Sequence, residues 1–161
     1  MALQFQPKVG SVVMCSFEGF VQPEMVKKRP VVVVARNRGN NQLVTVVPLS
    51  TTAPDVLESH HHPLPFNPVP AYKGTKCWAK CDMIATVSLA RMDRLKAGNV
   101  RVIPQISEPD LAAIRRCVVH ALQLQNVILG AKATGAAIAT AAVVAVAAAT
   151  GSTIAVSGDA S

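Results

Sequence analysis

Aromatic residues make up only 4% of this 161-residue chain: four Phe, one Trp and one Tyr. Its core must therefore be aliphatic. Cysteine is also scarce, limited to Cys15, Cys77, Cys81 and Cys117. Cys77 and Cys81 are four apart, but no second close pair completes a zinc site. The four read as small half-buried side chains with reduced thiols. No charged-then-apolar leader opens the chain, which speaks against export and for a cytoplasmic protein. No segment recurs at a fixed period, so a solenoid is excluded. P-loop, dinucleotide fingerprint and G-x-S-x-G elbow are all missing. A nucleotide-cofactor or elbow-serine enzyme is therefore a poor fit, and no cofactor or metal is expected.

Acidic residues are few: nine Asp and Glu against sixteen Lys and Arg, a net of +7. Every Lys and Arg lies at or before Lys132, and the only charge beyond it is Asp159. The basic excess favours polyanionic partners, nucleic acid or anionic lipid. At 50% apolar residues the chain is too hydrophobic for a disordered polyelectrolyte. Its length suits one domain, residues 1–126, and an extension, residues 127–161.

The domain reads as mainly β. Residues 9–17 suggest a strand. Residues 18–29 follow as a polar loop ending in Lys27-Lys28-Arg29. After Pro30, four consecutive valines are stiff at χ1 and suit a buried strand. Arg36 to Asn41 is a turn rich in Asn and Gly, and Leu43–Leu49 is the returning strand. Pro48 implies an edge or a bulge. Residues 51–74 carry Pro54, Pro63, Pro65, Pro68 and Pro70 and read as one long loop, of the kind that is usually functional or mobile. An extended pattern resumes over 76–87. Residues 88–96 read as a short basic turn or helical piece, and 100–103 as a last strand. Ser107 and Asp110 form a capping box, with Pro109 in the first turn. Leu111, Ile114, Val118 and Leu122 then give one apolar face to a helix running to about Gln125. These elements make a small, strongly bent antiparallel sheet, a barrel with a helix near its end, a common nucleic-acid platform.

The tail is different in kind. Residues 133–149 hold ten alanines in seventeen positions. The uncharged stretch is long enough to span a bilayer, but it lacks the Leu and Phe that drive insertion. An Ala-rich helix, or a frayed and disordered tail, is the plainer reading.

Four segments occur in a telling order: K-K-R-P before the valine strand, V-T-V-V-P-L-S-T-T over Val44–Thr52, C-W-A-K-C-D-M-I-A-T-V-S over Cys77–Ser88, and the capped helix. In this order residues 8–125 resemble the PemK/MazF family of type II toxin–antitoxin toxins. The resemblance implies an SH3-like barrel, usually homodimeric, that binds a cognate antitoxin. Many family members cut single-stranded RNA without metal, while sibling proteins poison DNA gyrase. The family's functional Arg falls on Arg29 and its hydroxyl residue on Ser50, with Thr51 adjacent. The family's usual acidic or amide residue is not cleanly reproduced, and Cys81-Asp82 aligns with it only to within about one position.

The side chains suit that chemistry. RNA is cleaved when its own 2′-hydroxyl attacks the neighbouring phosphorus, and charge gathers on the non-bridging oxygens. A guanidinium offers a fixed fork of donors to those oxygens. Ser50 can hold the phosphate in line. Arg29 titrates too high to serve as the base, so His60, His61 and His62 are the candidates for proton transfer. Asp82 is a second candidate, or an orienting partner for Arg29. Trp78 suits stacking on an unpaired base. Lys27, Lys28, Lys73, Lys76 and Lys80 suit phosphate contacts.

Each has a plainer explanation. Arg29 is equally a solvated charge before a strand, and Ser50 and Thr51 can merely cap a turn. The three histidines fit a surface loop or adventitious metal binding, although no carboxylate or Cys directly adjoins them. Trp78 serves as well as a core anchor, and the lysines as a solvated strand face. The rival function is a non-catalytic binding module of the same barrel, directed at gyrase or DNA. A third is a protein tethered to a membrane by its tail.

Overall fold

The computed structural model describes residues 2–127. The notable alanine-rich tail and any membrane role for it lie outside the described residues. Among those described, no helix is long and apolar enough to cross a membrane.

Among the described residues the main elements follow in order: β1 (Val12–Cys15), β2 (Arg29–Arg36), β3 (Leu43–Ser50), β4 (His61–Leu64), β5 (Cys77–Lys80), β6 (Ala85–Ser88), β7 (Met92–Asp93), β8 (Leu95–Ala97), β9 (Val100–Val102) and α1 (Glu108–Ala121). The main sheet is antiparallel, ordered β4-β5-β3-β2-β1-β7, with β6 also paired to β3. β8 and β9 form a separate hairpin.

The valine run is legible in the packing. Val32 and Val34 face one apolar cluster with Val12, Val47, Leu49, Leu111 and Ile114. Val31 and Val33 face another with Val13, Phe17, Val44, Val46, Leu89 and Met92. β2 is thus covered on both faces, which is why four successive positions are apolar instead of alternating.

One edge of β3 serves two partners. Leu43–Val46 pair with β6, and Leu49 and Ser50 pair with β5. A 3-10 turn at Cys81–Met83 separates those two partners. It interrupts the single extended stretch expected over 76–87. Pro48 sits in the gap, where neither β5 nor β6 is in register, so its missing N–H is tolerated inside the sheet and not at its edge. The register between β2 and β3 shifts between Val33 and Ala35. The Val34 carbonyl accepts there from the Arg115 guanidinium of α1, at 2.8 and 3.2 Å.

Three sequence expectations are corrected. The expected barrel is not closed: the hydrogen-bonded path among the described residues runs from β4 to β7 and ends at each. β4 carries Pro63, which has no N–H to offer, and β7 is two residues long and takes only the Leu3 N–H on its Met92 carbonyl, at 3.0 Å. The supposed 51–74 loop contains β4 and a 3-10 turn at Pro70–Tyr72. Prolines confined this segment to an edge but did not forbid a strand. The helix stops at Ala121 and not near Gln125: Leu122 caps it, Gln123 turns to φ 56°, and Leu122 is 49% exposed instead of packed. The N-cap is as expected, with the Asp110 N–H donating to Ser107 Oγ at 3.2 Å.

Candidate functional site

Arg29 opens β2 and Ser50 closes β3, the two strands most tightly fixed by the valine core. Val31 pairs with Pro48, so the N-terminal end of β2 lies beside the C-terminal end of β3. That antiparallel register brings Arg29, Ser50 and Thr51 into one small cleft of about 120 Å³. Lys28, Pro30 and Met14 line it from β1 and the start of β2, and Asn67, Val69, Tyr72 and Cys77 line it from the proline-rich segment and β5. Two cations line the cleft and no carboxylate does.

Two donors in this cleft are conspicuous. Arg29 Nε and Asn67 Nδ2 are both buried and make no hydrogen bond to protein. The Asn67 Oδ1 is occupied, accepting from the Val69 N–H at 3.0 Å, which fixes the amide so that its nitrogen is the free end. Buried donors normally find partners, and one left unpaired costs about 1–3 kcal/mol. Paired with nearby hydroxyls and positive charge, they describe a recess for an anion. Ser50 Oγ accepts from the Thr52 N–H at 3.1 Å and keeps its own proton to donate. Cys77, at the cleft floor, is held protonated by burial, which pushes its thiol up to about 11.

Lys28, Met14, Val69 and Tyr72 also line a larger cavity of about 650 Å³ on the same side, where Arg91, Arg94 and Lys96 outnumber the acids Glu18 and Asp93 along its wall. The small cleft therefore opens onto a longer basic depression. Lys73 and Lys76 line a third recess, beside the 82%-exposed Phe66. Lys27 is exposed, and Lys80 is half-buried in β5. Trp78 is half-buried, in register with Ser50, and its indole N–H is buried without a protein partner.

The histidines and Asp82 are not part of the cleft lining. β5 stands between β4 and β3, so His61 lies two strand spacings from Ser50, on the order of 10 Å. His62 Nε2 lies 3.4 Å from Asp110 Oδ1 and links β4 to the start of α1. The rings of His60 and His61 lie 4.1 Å apart between centroids, tilted by 51°, close to Asp82. Burial, then the neighbouring His60 and Lys80, lower the pKa of His61, leaving it neutral near pH 7. Asn67 and Tyr72 escape sequence reasoning altogether. The available signals were an Asn-Pro turn and the sole Tyr, both inside a segment read as one long proline-rich loop.

A small antiparallel sheet backed by one helix, with a cleft at the strand ends lined by Lys28 and Arg29, defines the class. A family model for PemK-like, MazF-like toxins of type II toxin–antitoxin systems matches residues 8–122, and the chain belongs to that family. The uncharacterised protein YifN of Escherichia coli strain K12 is 29% identical over 149 residues, covering 80% of this chain and 99% of that protein. An uncharacterised Haemophilus influenzae protein is 24% identical over 139 residues, covering 78% and 96%. Among solved structures, MazF from Deinococcus radiodurans superposes with a TM-score of 0.58 at 18% identity, over 74% of this chain and 99% of that one. A mycobacterial endoribonuclease in complex with its cognate antitoxin gives 0.52 at 19% identity, over 73% and 96%.

Proposed function

We propose that this chain is a toxin-like endoribonuclease that binds single-stranded RNA and cleaves it without a metal. The observation that carries the reading is the unpaired, buried Nε of Arg29, in a cleft shared with Ser50, Thr51 and the free amide of Asn67. An RNA phosphate seated there gives both donors the acceptors they lack. As the 2′-hydroxyl attacks phosphorus, charge builds on the non-bridging oxygens. Arg29 then gains more than it had in the ground state, and that difference accelerates the step. Ser50 and Thr51 hold the phosphate in line for attack. The P–O5′ bond breaks as the new P–O2′ bond forms. Water takes the 2′-hydroxyl proton and supplies one to the departing 5′-oxygen. The products are a 2′,3′-cyclic phosphate and a 5′-hydroxyl. Lys28 and the basic depression beyond it carry the flanking backbone.

His60, His61, His62 and Asp82 do not line the cleft, and this reading assigns them no step. Family membership and the antitoxin complex of the mycobacterial neighbour support a cognate antitoxin as partner, its acidic segment competing for the same cations. A homodimer is the assembly expected of the family.

One observation favours a second reading. The cleft lining includes no imidazole or carboxylate to move a proton. A non-catalytic module of this fold, binding DNA or gyrase, needs none. Incubating the full chain with single-stranded RNA in excess EDTA decides between them. Discrete cleavage, lost in Arg29→Ala, supports the nuclease. Binding without cleavage by the unaltered chain overturns it in favour of the module.

A further inference from the structure

Three side chains far apart in sequence meet outside the cleft. His60 and His61 stand at the entry to β4, and Asp82 lies in the 3-10 turn that follows β5. The β4–β5 pairing sets His61 opposite Lys80, two residues before Asp82. One ligand atom from each of His60, His61 and Asp82 lies within 4.8 Å of the others. We infer that His60, His61 and Asp82 form a binding site for a divalent ion of the zinc class.

The donor set determines the metal class. Two imidazoles and one carboxylate suit zinc, with water completing a tetrahedron. Oxygen-seeking magnesium and calcium are poorly served by imidazole. Zinc bonds of about 2.0–2.2 Å place the ligand atoms a little over 3 Å apart. The three side chains must therefore close in by roughly 1–1.5 Å. His60 and His61 are part-exposed and Asp82 is exposed, which leaves their side chains room to adjust.

The surroundings support ligation. His60 Nδ1 lies 3.3 Å from Glu58 Oε2. A carboxylate on that nitrogen holds its proton there and directs Nε2 outward as a ligand, the usual support for a metal-binding histidine. His61 Nδ1 now accepts the Glu58 backbone N–H at 3.1 Å. Ligation through Nε2 moves the ring proton to Nδ1 and gives up that exposed contact. Lys80 opposes a cation at this place, and the carboxylates of Asp82 and Glu58 offset it.

The site needs no part of the cleft and supplies no step of the proposed cleavage. Its mechanical meaning lies in where it sits. The segment 51–60 leaves the cleft at Thr51 and ends at His60, and a metal clips that far end to the 3-10 turn after β5.

Isothermal titration of the full chain with zinc sulfate tests this. The expected result is one ion per chain with a micromolar dissociation constant. His60→Ala and Asp82→Asn each weaken it at least tenfold, and His62→Ala leaves it within twofold. Zinc also raises the melting temperature of the unaltered chain and not that of Asp82→Asn, a readout that confirms each variant is folded. Absence of binding at about a hundred micromolar zinc overturns the site. So does wild-type affinity in the Asp82→Asn and His60→Ala variants, which would assign the ion to other histidines or thiols. RNA cleavage in EDTA is read separately, so either idea can fail alone.

Discussion

Replacing Arg29 by Met separates two effects that usually fall together. Arg29 Nε is buried and unpaired in the free protein. Such a donor costs about 1–3 kcal/mol, and Met removes it while keeping much of the volume. Arg29→Met should therefore hold or raise stability, by about 1 kcal/mol after some loss of packing. For a domain of this size that is a rise of a few degrees in melting temperature. Catalysis moves the other way. Losing a donor that acts on transition-state charge costs about 100- to 1,000-fold in rate, near 2.7–4 kcal/mol. Arg29→Lys keeps the charge but loses the fork, and should fall between. Differential scanning calorimetry and single-turnover cleavage of a fluorescent oligoribonucleotide measure the two quantities. A melting temperature lower by ten degrees or so would show Arg29 to be a structural post. Cleavage within about tenfold of the unaltered chain would show that it does not face the reacting phosphate.

Four further outcomes follow from the packing and the charges. Ile114 is fully buried on α1, so Ile114→Ala should cost about 2–5 kcal/mol in urea unfolding, and a cost under about 1 would mean the helix does not close that core. Gly10 holds φ +86°, with Leu111 Cδ2 3.7 Å from where a Cβ would sit. Gly10→Ala should lose about 1–2 kcal/mol from backbone strain, not from a clash, and a neutral result would mean the turn relaxes. Ser107→Ala removes the oxygen that accepts the Asp110 N–H, and should cost about 1 kcal/mol by the same assay. Asp93 takes both carboxylate oxygens to Arg101 Nη1 at 2.7 Å. Burial pushes its carboxyl up, but Arg101 and the Arg94 N–H outweigh that and hold it well below the usual carboxylate range. Its folded pKa is depressed, so its contribution is whole above the unfolded value of about 4 and is lost as pH falls toward the folded one. The stability gap between the unaltered chain and Asp93→Asn should therefore narrow below about pH 4, and a gap at about pH 2 equal to that at pH 6 contradicts the pairing.

What the sequence makes legible is what local chemistry decides. Four valines in a row require two covered faces, and β2 has them. Ser107 and Asp110 announce a helix start, and the helix starts there. Arg29, Ser50 and Thr51 are legible for another reason: each sits at the end of a strand whose register the valines fix, so locating the strands locates the side chains. Residues 51–74 obey neither rule. Pro63 argues against a strand, yet the β4–β5 ladder forms because β4 is an edge and spends that missing N–H toward no neighbour. Once β4 exists, alternation along it decides the fate of the histidines. His62 turns inward to Asp110 and serves the fold, while His61 turns outward and meets Asp82. Three identical residues thus acquire different roles through a strand that their own sequence disguises. The same long-range register explains why Asn67 and Tyr72 reach the cleft unannounced. Their positions depend on where β4 ends and β5 begins, and β5 is placed by its pairing with Leu49 and Ser50 of β3, outside that stretch of sequence.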